Sequence, residues 1–246
     1  MRGEGVKPYD PQMISEAAIN NAEWCDAMCR AHGHPGNFGR SAWTNGRRTP
    51  LYYPDAVTLS ADASVRDVLD GIDRSTPGAS VKDSFACLDL TAEGFRPLFE
   101  ARWIHRPGWL PAPEVAVPAD TSWRPVRDAA ELAAWAMAWS GGDADEAALF
   151  RAELLADPAT KVVAGYGADG RITGGAVLTD NWRVTGVSNL FAAEGTDPVE
   201  AWAGCLSLVD AGSPVVGYES GDDLPPALAV GFEELGPLRV WLATDA

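Results

Sequence analysis

Residues Arg171–Phe191 read RITGGAVLTDNWRVTGVSNLF, and the fold turns on this stretch. Two β-type runs, Ile172–Leu178 and Val184–Phe191, flank the turn-forming Thr179-Asp180-Asn181, which is the pattern of a hairpin. Downstream, the periodicity predicts a helix over Pro198–Asp210, a strand over Pro214–Glu219, a helix over Leu224–Leu235 and a last strand over Leu238–Leu242. Immediately upstream, Lys161–Tyr166 reads as a strand and Ala168-Asp169-Gly170 as a tight turn.

Further upstream, Trp123–Val126 is a predicted strand. Asp128 with Glu131 opens a helix carrying Leu132, Trp135 and Trp139 on one stripe. Gly141-Gly142 ends that helix, and another is expected over Asp145–Ala156. The Pro-rich run of Pro107, Pro111, Pro113 and Pro118 is the best linker candidate, dividing the chain into 1–110 and 111–246. In the first part, residues 1–12 are expected to be loose and Ser15–Gly33 helical, with Ala18, Ala22, Cys25 and Cys29 on one side. His34–Pro54 reads as a long irregular segment. Ala56–Ser60 is a predicted strand, and Ser64 with Asp67 caps the next helix. Ser84–Leu90 then reads as a strand, Phe95–Ala101 as a helical turn and Arg102–His105 as a strand. This β–α–β run parallels Pro214–Leu242, the pattern of a truncated internal repeat or of convergent patterning.

The chain is 246 residues long, enough for one large domain or two small ones. It carries 19 basic and 35 acidic residues, a net charge of −16 that argues against nucleic acid as a partner. No apolar run reaches the roughly 20 residues of a membrane span, and the N-terminus lacks the apolar core of a signal peptide. With four cysteines, the expected location is the cytoplasm, with free thiols. Hydrolase, NTPase, dinucleotide and metalloprotease motifs are missing.

The element order from Trp123 to Leu242, the small-residue hairpin VVAGYGADGRITGGAVL, the strand Val187–Leu190 and the pair Gly231-Phe232 together resemble the GNAT (N-acetyltransferase) superfamily. The resemblance implies an α/β (α+β) fold, a mixed and mostly antiparallel sheet flanked by helices. A smaller α/β N-terminal half precedes it, either a truncated GNAT-like repeat or a convergent β–α–β pattern. It also implies an acyltransferase moving an acyl group from acetyl-CoA or another acyl-CoA to a small-molecule amine, with no metal. The alternative is a degenerate member that binds a small ligand or a protein, or uses its cleft for another reaction. A monomer or homodimer is expected.

On this resemblance Val187, Ser188, Asn189 and Leu190 hold the donor's pantetheine arm, and Gly195 and Thr196 stand in the loop that receives its pyrophosphate. Only Gly195 matches the family's Arg/Gln-x-x-Gly-x-Gly/Ala loop: Ala192 replaces the basic residue, and Glu194 and Asp197 add carboxylates. The same residues read equally as a helix start, with Thr196 or Asp197 as N-cap and Pro198 in the first turn. Ala227 takes the place of the family's tyrosine proton donor. Glu219 is the candidate base and Tyr218 its neighbour in orienting substrate, the other reading being a solvated strand end. Trp24, Arg47, Arg48 and Tyr52 are substrate-binding candidates, with Trp43 and Tyr53 alongside as an anion- or aromatic-binding lip; an ordinary solvated loop is the alternative. Cys25, Cys29, His32 and His34 crowd together without the split spacing of a zinc site. Cys87 and Cys205 read as core residues.

Overall fold

The structure, a computed structural model, describes residues 11–115 and 120–244. Residues 1–10 of the expected loose N-terminus, and Pro118 of the linker candidate, lie outside the described residues. The first part contains α1 (Pro11–Ala31), β1 (Asn37–Phe38), β2 (Ala42–Thr44), β3 (Ala56–Thr58), α2 (Val65–Leu69), β4 (Ser80–Asp83) and β5 (Phe95–Arg106). After it come β6 (Ser122–Pro125), α3 (Ala129–Trp139), α4 (Ala144–Ala147), β7 (Thr160–Tyr166), β8 (Ile172–Asp180) and β9 (Thr185–Ala192). The chain then runs through α5 (Pro198–Leu206), β10 (Val215–Glu219), α6 (Leu224–Ala229) and β11 (Glu233–Ala243). No described helix is long and apolar enough to cross a membrane.

The described strands form one sheet in the order β1-β2-β3-β4-β11-β5-β10-β9-β8-β7-β6. It is mixed but mostly antiparallel; the parallel pairs are β3 with β4 and β9 with β10. Beside each parallel pair runs the terminal strand of the other half. β11 lies antiparallel to β4, and β5 lies antiparallel to β10. β5 and β11 also pair with each other along most of their length. The halves therefore exchange their last strands, and a single ladder of hydrogen bonds runs through both.

Local chemistry forms the elements where the sequence predicts them. Asn181 Oδ1 accepts from the N–H groups of Arg183 and Val184 and so closes the β8–β9 turn. Ser64 and Asp67 make a complete capping box on α2. Asp128 accepts from Ala130 N and Glu131 N at the start of α3. The central helix α1 is buried on most of its circumference, so its polar residues need internal partners. Asn20 Nδ2 donates to Thr179 O at 2.8 Å, and Asp26 accepts from the Gly36 N–H and the Trp43 indole. α1 approaches the sheet closely at Gly186, where a Cβ would overlap the Asn20 side chain.

Several expectations are corrected. α1 begins at Pro11 rather than at Ser15, whose hydroxyl donates to Pro11 O within the helix. The segment His34–Pro54 contains β1 and β2. Ser84–Leu90 is a loop, because the Asp83 carboxylate takes the N–H groups of Phe85 and Leu88 and curls the chain back. Cys87 is exposed there rather than in the core. Phe95–Ala101 belongs to β5: Pro97 would break a helix, but it is accommodated where the ladder to β11 shifts register. Asp145–Ala156 splits into α4 and a short turn at Ala152–Ala156. α5 stops at Leu206, and α6 stops at Ala229 because Gly231 turns left-handed at φ 95°, which lets β11 begin at Glu233.

Because β5 and β11 each complete the other half's sheet, residues 1–110 and 111–246 expressed separately are each expected to lack cooperative unfolding. Co-expression should restore a single urea transition by circular dichroism. Trp103→Ala, at a site 1% exposed at the centre of the ladder, should cost about 3–5 kcal/mol in the same assay.

Candidate active site between two parallel strands

The parallel strands β9 and β10 are paired only at Thr185–Val215 and Gly186–Val216; beyond these the strands diverge. At the neck of the fork a Cβ on Gly217 would come within 3.2 Å of Val187 O, so glycine keeps the two backbones close. Past the neck, Asn189 and Leu190 stand opposite the single residue Ala176 of β8. This is a β-bulge, which interrupts the ladder and turns backbone polar groups away from it. Asn189 adopts φ 51°, a conformation asparagine tolerates better than most residues. Its side-chain oxygen accepts from Trp24 Nε1 at 3.1 Å and from Tyr53 OH at 3.3 Å, so the N-terminal half holds the bulge in place.

The mouth of the fork is a cavity of about 280 Å3. Val187, Ser188, Asn189, Leu190, Tyr218 and Glu219 line it from β9 and β10, and Trp24 and Tyr52 from the N-terminal half. Those predicted residues are brought together. Arg48 faces a neighbouring cavity, where its guanidinium is ion-paired with the Asp55 carboxylate. Arg47 lines neither space; its backbone N–H is held by Asn45 Oδ1. Gly195 and Thr196 line a separate hollow of about 120 Å3 with Trp123, Thr173 and Glu200. Trp43 is fully buried, its indole N–H on Asp26, so it is not part of a lip.

Asn21, Cys25, Pro54, Lys82 and Trp139 also line the cleft and were not singled out for it from the sequence. Lys82 is the most informative of them, being 4% exposed on β4. Its Nζ donates to Asn21 Oδ1 at 2.7 Å and lies 4.1 Å from the centre of the Tyr218 ring. The clue was present in the sequence: the lysines are only Lys7, Lys82 and Lys161, and Lys82 follows the apolar Val81.

Burial decides the ionisation of the site. Glu219 is pushed up to about 8 by burial, and the nearby negative Asp223 moves it in the same direction. Burial lifts the Cys25 thiol to about 11 against the pull of Lys82, and Cys29 to about 12, so neither is a ready thiolate. Burial likewise raises the Tyr53 hydroxyl well above its ordinary value. His32 Nε2 lies 2.9 Å from Leu149 O. No group of three or more His, Cys, Asp or Glu side chains able to hold a metal is found among the described residues.

The loop after β9 closes on itself. Asp197 caps α5 by accepting from Val199 N at 2.8 Å, and Pro198 contributes no N–H. Glu194, Asp197 and Glu200 surround the helix start in sequence and put negative charge there, a poor match to a diphosphate.

No family model and no curated protein sequence matches the chain. Solved structures do. A GCN5-related N-acetyltransferase from Kribbella flavida is 16% identical, with a TM-score of 0.63 over 94% of this chain and 96% of that one. A GNAT-family protein from Novosphingobium aromaticivorans is 11% identical, with a TM-score of 0.54 over 93% of this chain and 99% of that one. A functionally unknown conserved protein from Staphylococcus epidermidis is 11% identical, with a TM-score of 0.53 over 70% and 74% of the two chains. The chain has the GNAT fold, and the first two matches run through both halves.

A carboxyl group raised from 4.5 to about 8 makes the folded state hold a proton that the unfolded chain has already lost. Stability from this source is full below the unfolded value and is lost progressively as pH rises through the folded one. Glu219→Gln removes the penalty. It should leave the melting temperature near pH 4 unchanged and raise it at pH 9 by roughly 2–4 °C or more, read by differential scanning calorimetry.

Proposed function

We propose that the cleft transfers an acyl group from a thioester donor with a pantetheine-like arm to the amine of a small molecule. The observation that carries this reading is the half-buried Glu219, its carboxyl raised to about 8, in the same fork as the β9 bulge. The bulge at Asn189 and Leu190 offers backbone groups to the thioester carbonyl, where negative charge develops. Glu219, once ionised, takes the proton from the attacking amine. As the new C–N bond forms, the C–S bond breaks and the sulfur leaves with the electron pair. Ala227 supplies no acid, so the protonated Glu219 returns its proton to the sulfur. A carboxyl near 8 is well matched to a thiol of about 8.5. Tyr218 borders both partners from the floor of the cleft.

The acidic loop at Glu194–Asp197 favours a second reading, in which the fold binds a small ligand without acyl transfer. Calorimetric titration separates the two. For the acyltransferase, acetyl-CoA and acetyl-pantetheine should bind within about tenfold of each other, because the diphosphate lacks a built anchor. Ala192→Arg with Glu194→Gly should then improve acetyl-CoA alone. Absence of binding by either thioester at millimolar concentration would overturn the transferase reading. With an accepted amine, kcat/KM should rise with pH to a plateau above about 8 as Glu219 loses its proton. Glu219→Gln should lower the plateau by roughly 10²–10⁴ and remove the rise.

A further inference from the structure

Next to the catalytic cleft lies a larger cavity of about 640 Å3 that the acyl-transfer reading does not use. Its floor follows from strand register. Lys82 stands opposite Val240 and Ser80 opposite Leu242 across the β4–β11 ladder, while Val240 stands opposite Phe99 of β5. Directly paired residues share a face, so these side chains form one strip of sheet. The roof is the segment Arg48–Pro54. It is fastened at both sides of the molecule: the Arg48 guanidinium binds the Asp55 carboxylate and donates to Asp73 O and Thr76 O at 2.8 and 2.9 Å, and the Tyr52 hydroxyl donates to the Glu146 carboxylate. Roof and floor are largely apolar, with Leu51 and Tyr53 above and Leu98 and Phe99 below.

At its inner end this cavity shares Tyr53, Lys82 and Tyr218 with the cleft that holds Glu219, so the two spaces are adjoining compartments of one site. The two cations in the walls of the larger compartment differ. Arg48 is neutralised by Asp55, whereas Lys82 makes no ion pair with a carboxylate among the described residues. Its neutral partners, Asn21 Oδ1 and the Tyr218 ring, do not use all three ammonium donors. A buried cation without an anion is costly and is offset when an anion arrives.

We propose that the larger compartment receives the acyl acceptor, a molecule with an aryl or alkyl body and a carboxylate that pairs with Lys82, its amine extending into the cleft of Glu219. This rests on the acyl-transfer reading for the role of the amine, but not for the binding of the body and carboxylate. Glu219 and Lys82 then sort the two ends of an amphoteric substrate, the raised carboxyl taking the amine and the buried ammonium the carboxylate.

The test uses the whole protein and two probes, hydrocinnamate and its neutral amide, titrated calorimetrically with no thioester present. Hydrocinnamate should bind saturably and about tenfold more tightly than the amide, since a charge-assisted hydrogen bond replaces a neutral one. Lys82→Met should bring hydrocinnamate down to the affinity of the amide. Leu98→Trp, at an exposed wall position where folding is not at risk, should weaken both probes. The proposal fails if the two probes bind alike, if Lys82→Met in a folded variant leaves the preference intact, if Leu98→Trp changes neither affinity, or if hydrocinnamate gives no heat up to roughly 10 mM. Should Lys82→Met not fold, the probe comparison in the unaltered protein and the Leu98→Trp result decide. Because no donor is present, failure here leaves acyl transfer standing, and a protein that transfers no acyl group can still pass.

Discussion

The ladder between β5 and β11 is the constraint on which the rest of the structure depends. Each strand belongs in sequence to one half and completes the parallel pair of the other, β5 against β10 and β11 against β4. A strand left without a partner exposes a full row of backbone donors and acceptors, so neither half has a finished sheet without its counterpart. The exchange also sets the site, because it leaves only β11 and β5 between β4 with Lys82 and β10 with Tyr218 and Glu219.

The cleft that results is built by both halves. β9 and β10 make the fork, but Trp24 of α1 and Tyr53 of the N-terminal half hold the Asn189 side chain at the bulge. A residue at φ 51° within a strand persists when its surroundings over-determine it, and these two bonds do that. A second groove, on the other side of α1, carries two ion pairs, Glu16 with Arg183 and Arg30 with Asp157. In the fork, Glu219 and Lys82 make no ion pair among the described residues.

The acidity of the chain has a local consequence at the start of α5, where Glu194, Asp197 and Glu200 fall within seven residues and Asp197 itself takes the Val199 N–H.

What the sequence by itself determined is what short-range chemistry decides. The β8–β9 turn, the caps at Ser64, Asp128 and Asp197 and the order of elements from Trp123 onward all depend on residues a few positions apart. The family resemblance carried by that order put Glu219, Tyr218 and Val187–Leu190 at one cleft, and the adjacent parallel strands β9 and β10 bring them together. Tertiary structure alone decided that Phe95–Ala101 is a strand, since its ladder partners lie some 140 residues away in β11. It alone brought Lys82 to Asn21 and Tyr218, separated Arg47 and Arg48 from the fork, and raised Glu219, because burial and charge depend on neighbours distant in the chain.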